Sequence, residues 1–411
     1  MSKNKKLVPK RRFKEFQNSD AWEQRELGEV VQITMGQSPL GSNYTENPSD
    51  YILVQGNADM KNGKVFPRIW TTQVTKTAEP DDIILSVRAP VGDVGKTDYN
   101  VVLGRGVAGI KGNEFIYQLL SKMKSNSYWG KYSTGSTFDS INSNDLKEAN
   151  ICIPSTNEQV QIGSFFRNLD QTIAFQQRKL EKMKSMKSAY LSEMFPAEGE
   201  RKPKRRFPGF TDDWEQRKLE DMCSLITKQT GFDYSATIKP SLINKKNDST
   251  YSFIQNKDFS GLNINLNTDF YIPVKIAEKF PRILLDQPSL LVTISGKIGN
   301  LGLYNDVKKA FIGGAVGICK LNDLKEGEFI LYELTSEFGQ RQFRKSTKTS
   351  SHANITVEMI KDIDIIIPKS HIEHNKISKF FKQLDTTIAF QQQKLEKLQN
   401  IKKAYLNEMF I

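Results

Sequence analysis

Residues 166–195 read FRNLDQTIAFQQRKLEKMKSMKSAYLSEMF, and residues 381–410 read FKQLDTTIAFQQQKLEKLQNIKKAYLNEMF. Twenty of the thirty positions are identical, with no gap, at an offset of 215 residues. A second match lies upstream of each copy. Arg11-Arg12-Phe13 followed by WEQRELGEV from Trp22 returns as Arg205-Arg206-Phe207 followed by WEQRKLEDM from Trp214. Self-similarity at a fixed offset marks a duplicated unit, so the chain is a tandem repeat.

Apolar side chains in the first copy recur at alternating steps of three and four: Phe166, Leu169, Ile173, Leu180, Met183, Tyr190 and Met194. The second copy repeats them at Phe381, Leu384, Ile388, Leu395, Leu398, Tyr405 and Met409. The polar interruptions Gln176 and Lys187 recur as Gln391 and Lys402. A seven-residue period held this long predicts a helix whose seam meets another helix. Thr156 or Asn157 offers a cap for the first helix, and Pro196 stands where it must stop.

Between the shared segments lie two stretches, about 22–154 and 214–368, that are much less alike. Weak parallels survive in order, such as YILVQ ending at Gln55 against YSFIQ ending at Gln255. Residues 83–87, 289–294 and 362–367 are β-branched runs bounded by turn formers and read as strands. Short helices are predicted at 115–124 and 329–338. The clusters Gly104/Gly106/Gly109 and Gly313/Gly314/Gly317 predict tight turns or close backbone approach. Strands with interspersed helices give α+β globules.

A length of 411 residues allows two or three domains, and 38% apolar with 26% charged residues argues against disorder. Lys and Arg number 59 against 47 Asp and Glu, a surplus that suits a polyanionic partner. Cys152, Cys223 and Cys319 show no paired spacing, which fits a reducing cytoplasm. The basic start without an apolar run predicts neither a secretory signal nor a membrane span.

The search for a catalytic constellation ends in near-misses. The run from Pro90 to Thr97 resembles a phosphate-binding loop, but Pro90 stands where its first glycine belongs. Ile312–Gly317 lacks dinucleotide-loop spacing. Glu79, Asp81, Asp93 and Lys96 fall short of a nuclease metal pattern, and Asn47-Pro48-Ser49-Asp50 of the aminomethyltransferase motif. His352, His371 and His374 do not pair with cysteines at zinc-like spacing, and the last two read as solvated residues at a helix start. No cofactor or metal is therefore expected on this chain.

What remains is binding. The first variable stretch offers Gln37, Ser38, Gln55, Asn57, Lys61, Arg88, Arg105, Ser136 and Thr137 in turn-rich contexts. The second offers Lys228, Gln255, Lys257, Lys297, Arg341, Arg344, Lys345 and Lys348. Arg and Lys suit phosphates and guanine edges, while Gln and Asn suit adenine edges. Each alone is no different from a solvated surface side chain; the signal is collective.

The order of segments, with RRFPGF and WEQRKL from Arg205 to Leu219 and the LDxTIAFQQ helices at 169–177 and 384–392, resembles the specificity subunit of a type I restriction–modification system. The resemblance covers essentially the whole chain. It implies two pseudo-symmetric target recognition domains, each reading one half of a gapped, bipartite site in double-stranded DNA. They would be joined by two long helices packed as an antiparallel coiled coil that sets the spacing between half-sites. It further implies partners: modification methyltransferase subunits, two in number, that carry S-adenosylmethionine, and restriction subunits that use ATP and Mg. The subunit itself is then no enzyme.

The expected layout is a basic segment over 1–21, a recognition domain over 22–155, and a helix over 156–196. A linker over 197–213, a second recognition domain over 214–369 and a second helix over 370–411 complete it. If the polar layers of the helix pair face one another, Gln176 lies opposite Lys402 and Lys187 opposite Gln391. That register also sets Leu180 against Leu398, Met183 against Leu395, Ile173 against Tyr405 and Tyr190 against Ile388. Two rivals remain: a self-sufficient restriction or modification enzyme, which would need a cofactor or metal motif, and a scaffold that reads no DNA.

Overall fold

The computed structural model describes residues 7–132, 140–347 and 354–411; Ser136, Thr137, Lys348 and His352 lie outside them. The chain packs as two compact units. One takes the residues up to 178 together with 392–411, and the other takes 179–391. Among the described residues, no helix is long and apolar enough to cross a membrane.

The two units repeat one strand plan. In the first, strand Val107–Lys111 lies between Gln32–Met35 and Ile83–Ser86, antiparallel to both, and Val94–Lys96 pairs on the far side of Ile83–Ser86. In the second, Val316–Leu321 lies between Cys223–Lys228 and Ser289–Thr293, with Leu301–Tyr304 beyond. Each unit has a further sheet with a parallel pair at its centre: Tyr51–Val54 beside Val101–Leu103, and Thr250–Ile254 beside Ala310–Ile312. Val101–Leu103 and Ala310–Ile312 are apolar and buried throughout, as buried parallel strands require. The short helices are Glu114–Ser125 in the first unit and Leu324–Thr335 in the second. The second does not run on through Phe338 as the pattern suggested. It breaks at Ser336 and restarts as Glu337–Thr347.

The two repeated segments are helices of 38 residues, Thr156–Glu193, and 39 residues, His371–Met409. Phe166, Gln176 and Leu180 are buried on the first, as is Met194 just past its end, with Leu169, Ile173, Met183, Lys187 and Tyr190 half-buried. Phe381, Gln391, Leu395 and Met409 are buried on the second, with Leu384, Ile388, Leu398, Lys402 and Tyr405 half-buried. Within the first unit the Phe165 ring meets Tyr405 at 5.2 Å and Lys402 Nζ reaches Asp170 Oδ1 at 2.6 Å. Within the second, Tyr190 meets Phe380 at 5.1 Å and Lys187 Nζ reaches Asp385 Oδ1 at 2.5 Å. Rising numbers on one helix answer falling numbers on the other, so the pairing is antiparallel.

The register differs from the expected one. Lys402 does not sit with Gln176, nor Lys187 with Gln391; each lysine finds an aspartate six residues towards the N-terminus of the facing helix, roughly 9 Å at about 1.5 Å per residue. A charge-assisted hydrogen bond to a carboxylate is stronger than one to an amide, so the ion pairs override the matched polar layers. The cost is visible at Gln176 and Gln391, whose buried Oε1 atoms have no hydrogen-bond partner among the described residues.

Each core is closed by the end of the other repeat's helix. Trp22, Phe115 and Phe166 surround Phe410 in the first unit, with Phe115 and Phe410 stacked at 4.9 Å. Trp214, Phe329 and Phe381 surround Phe195 in the second, with Phe195 and Phe381 stacked at 5.7 Å. His371 is exposed at its helix start, as read from sequence, but His374 is not solvated. It is buried with its ring stacked on Phe329 at 4.1 Å, because its position one turn in faces the core rather than water.

Candidate nucleic-acid interface

Strand topology decides where the polar loops meet. Tyr51–Val54 and Val101–Leu103 run parallel, so Gln55 and the turn Gly104-Arg105-Gly106 leave the sheet at the same end. The antiparallel pairs Met35 with Ala108 and Ser86 with Val107 bring two more strand ends to that turn. Four loops therefore converge on Arg105. They enclose a cleft of about 270 Å³ lined by Ser38, Gln55, Gly56, Asn57, Ser86, Arg88, Ala89, Arg105 and Gly106.

Two glycines make the convergence possible. A Cβ on Gly106 would lie 2.0 Å from Gln55 O, and one on Gly36 would lie 2.0 Å from Gly104 O. No side chain fits at either position; Gly106 belongs to the glycine cluster read from sequence, while Gly36 lies outside it. Hydrogen bonds then hold the polar groups. Ser38 Oγ accepts from the Arg105 N–H at 3.0 Å, and Gln55 Nε2 donates to Tyr44 Oη at 2.7 Å. The Arg88 and Arg105 side chains are exposed, and among the described residues neither pairs with a carboxylate. The cleft thus presents two guanidiniums beside amide and hydroxyl groups, the donor and acceptor set that reads base edges and phosphates.

The second unit places the same loops together. The N–H of Gln255 donates to Asp258 Oδ2 at 2.9 Å, and Asn256 Nδ2 donates to Ser295 O at 2.9 Å, tying that loop to the Ser295–Lys297 turn. Lys228 ends the strand opposite Gly317, and the neighbouring Gln229 donates to Ile312 O. Lys228 and Lys297 are exposed there, whereas Lys257 is drawn into an ion pair with Asp269.

Not every candidate joins these clusters. Lys61 sits on the Met60–Lys64 hairpin over the Phe66 ring, and Gln37 is exposed next to the cleft residue Ser38. Arg341, Arg344 and Lys345 lie on helix Glu337–Thr347 in salt bridges with Glu198 and Glu337. Sequence reasoning missed the buried carboxylates that shape the loops. Asp59 Oδ2 accepts the N–H groups of Gln55 and Gly56 at 2.7 and 3.2 Å, while its Oδ1 accepts from Arg68. Asp258 does the same for Gln255, and burial pushes its carboxyl above the usual range. Asp59 follows Gln55 by four residues and Asp258 follows Gln255 by three, so the YILVQ and YSFIQ match does not reach both without a gap.

Residues 19–185 and 211–400 match the family model of the type I restriction modification DNA specificity domain. The putative type I restriction enzyme MjaX specificity subunit of Methanocaldococcus jannaschii is 33% identical over 205 residues, 46% of this chain and 48% of that relative. The match thus spans about half the length of that curated relative. Among solved structures, the S subunit of a type I restriction–modification system from M. genitalium superposes with a TM-score of 0.65 at 14% identity, covering 98% of this chain and 99% of that one. A chain described for the complex assembly and conformational transition of the type I R-M system gives a TM-score of 0.55 at 16% identity, covering 95% and 97%. At such identities the structural likeness is one of fold.

Proposed function

The chain belongs to the type I restriction–modification DNA specificity family, and we propose that each of its units reads one half of a bipartite DNA site through the loop cluster just described. The observation that carries this reading is the convergence of Ser38, Gln55, Asn57, Arg88 and Arg105 in one cleft, with Gln255, Lys228 and Lys297 on the equivalent loops of the second unit. Divergence of these loops beside near-identity of the helices follows if two half-sites differ while two protein partners are alike. The long helices set the spacing and carry the contacts to modification and restriction subunits. S-adenosylmethionine, ATP and Mg belong to those partners, and this chain contributes recognition without catalysis.

The test is made on the chain assembled with its modification subunits. Replacing Gln55 and Arg105 together should alter or abolish readout at one half of the methylated motif and leave the other half intact. Parallel replacement of Gln255 and Lys297 should affect the opposite half. Loss of both halves from either pair would refute the modular reading.

A further inference from the structure

The joint between helix and recognition body differs between the two units. In the first unit Gln159, one turn into its helix, is satisfied at both ends. Its Oε1 accepts from Asn113 Nδ2 at 2.9 Å, and its Nε2 donates to Pro154 O at 3.0 Å. The duplication places His371 and His374 where the first repeat has Thr156 and Gln159. His374 is only 3% exposed, and among the described residues its buried Nε2 has no hydrogen-bond partner. A buried polar atom left unpaired is costly and asks for a ligand.

His371 and His374 stand three residues apart on one helix and share a face. Glu326, in the first turn of helix Leu324–Thr335, approaches the same face. One ligand atom from each of the three lies within 4.8 Å of the other two. We propose that Glu326, His371 and His374 form a transition-metal site that ties the start of the C-terminal helix to helix Leu324–Thr335, in place of the Asn113–Gln159 bond of the first unit. Two imidazoles and a carboxylate are the donor set of Zn²⁺, Co²⁺ or Ni²⁺ rather than of Mg²⁺ or Ca²⁺. The exposure of His371 leaves water access to a fourth position. Nearby charge is balanced: Asp323 adds a negative group, and Arg217 is paired with Glu215 at 3.1 Å.

The full chain, stripped with a chelator, is titrated with Co²⁺ and with Zn²⁺ against a chromophoric competitor. Wild type should take up one metal per chain, give the visible absorption of four- or five-coordinate Co²⁺, and gain melting temperature with Zn²⁺. His371→Ala changes an exposed side chain and should keep the metal-free melting temperature. It should weaken binding more than about tenfold, as should Glu326→Gln. Absence of the Co²⁺ band, or Zn²⁺ held equally well by both variants, overturns the site and leaves His374 a stacked core residue.

Discussion

Arg12 and Glu158, 146 positions apart in sequence, meet in a two-point ion pair, Nε to Oε1 at 2.8 Å and Nη2 to Oε2 at 2.7 Å. Arg206 and Glu373 repeat it at 2.6 and 2.8 Å. The four side chains are almost buried. Each glutamate sits in the first turn of a long helix, where the helix dipole favours negative charge. The neighbouring arginines reach the far end of the other long helix, Arg11 to Glu408 and Arg205 to Glu193, both at 2.6 Å. The duplicated Arg-Arg-Phe motif is therefore a clasp that holds both helices to each unit.

A clasp of this kind makes a direct prediction. Glu158→Gln leaves Arg12 charged and unpaired in a buried place, which should cost about 3–5 kcal/mol. Combining it with Arg12→Met should cost clearly less than the two single changes added together. Denaturant titration of the four chains measures the coupling, and strict additivity would show that the pair does not act as one.

The helix register is testable within the first unit. Lys402 on Asp170 places Gln176 closer to Leu395 than to Lys402. With the three native cysteines replaced, Gln176→Cys and Leu395→Cys should crosslink efficiently on oxidation. Gln176→Cys with Lys402→Cys should not. The opposite preference would restore the register in which the polar layers face each other.

Much of this was legible because duplication wrote it twice. The helices, their seam and the two variable bodies follow from the offset of 215 and the seven-residue period. The glycine cluster announced close backbone approach, and Gly106 delivers it. The register was not legible, because a period of seven admits shifts by seven, and the ion pairs that choose among them lie off the seam at Asp170 and Asp385. Nor was the role of Asp59 or Asp258, since a buried carboxylate accepting backbone N–H groups has no periodicity to betray it. His374 was misread for a related reason: its burial comes from Phe329, distant in sequence.

Ion pairing also changes what the basic helix Glu337–Thr347 is expected to do. Lys345 and Arg341 both contact Glu198, so part of their charge is already compensated. Lys345→Ala should change the salt dependence of DNA affinity by less than one phosphate contact. Glu198→Gln, which releases Lys345 and leaves Arg341 only its Glu337 partner, should raise affinity for cognate and unrelated DNA alike at low salt. Unchanged affinity on Glu198→Gln would show that these cations do not face DNA.

Glu333 gives a pH dependence of definite sign. Its side chain is buried, Oε1 accepts from the Ile366 N–H at 3.2 Å, and Oε2 has no partner among the described residues. Burial pushes its pKa from the ordinary 4.5 to about 8. Between those values the folded chain holds a proton that the unfolded chain has released, so stability falls as pH rises, by up to about 1.4 kcal/mol per pH unit. Burial moves His374 the other way, down to about 4, so its contribution rises only between that value and its ordinary 6.5. Among the described residues, the interval from pH 6.5 to 8 is left to Glu333. Unfolding free energy of the wild type should decline across it, while Glu333→Gln, which stays neutral, should hold level and exceed the wild type at pH 8.5. Parallel curves for the two chains would show that Glu333 is ionised in the folded state throughout.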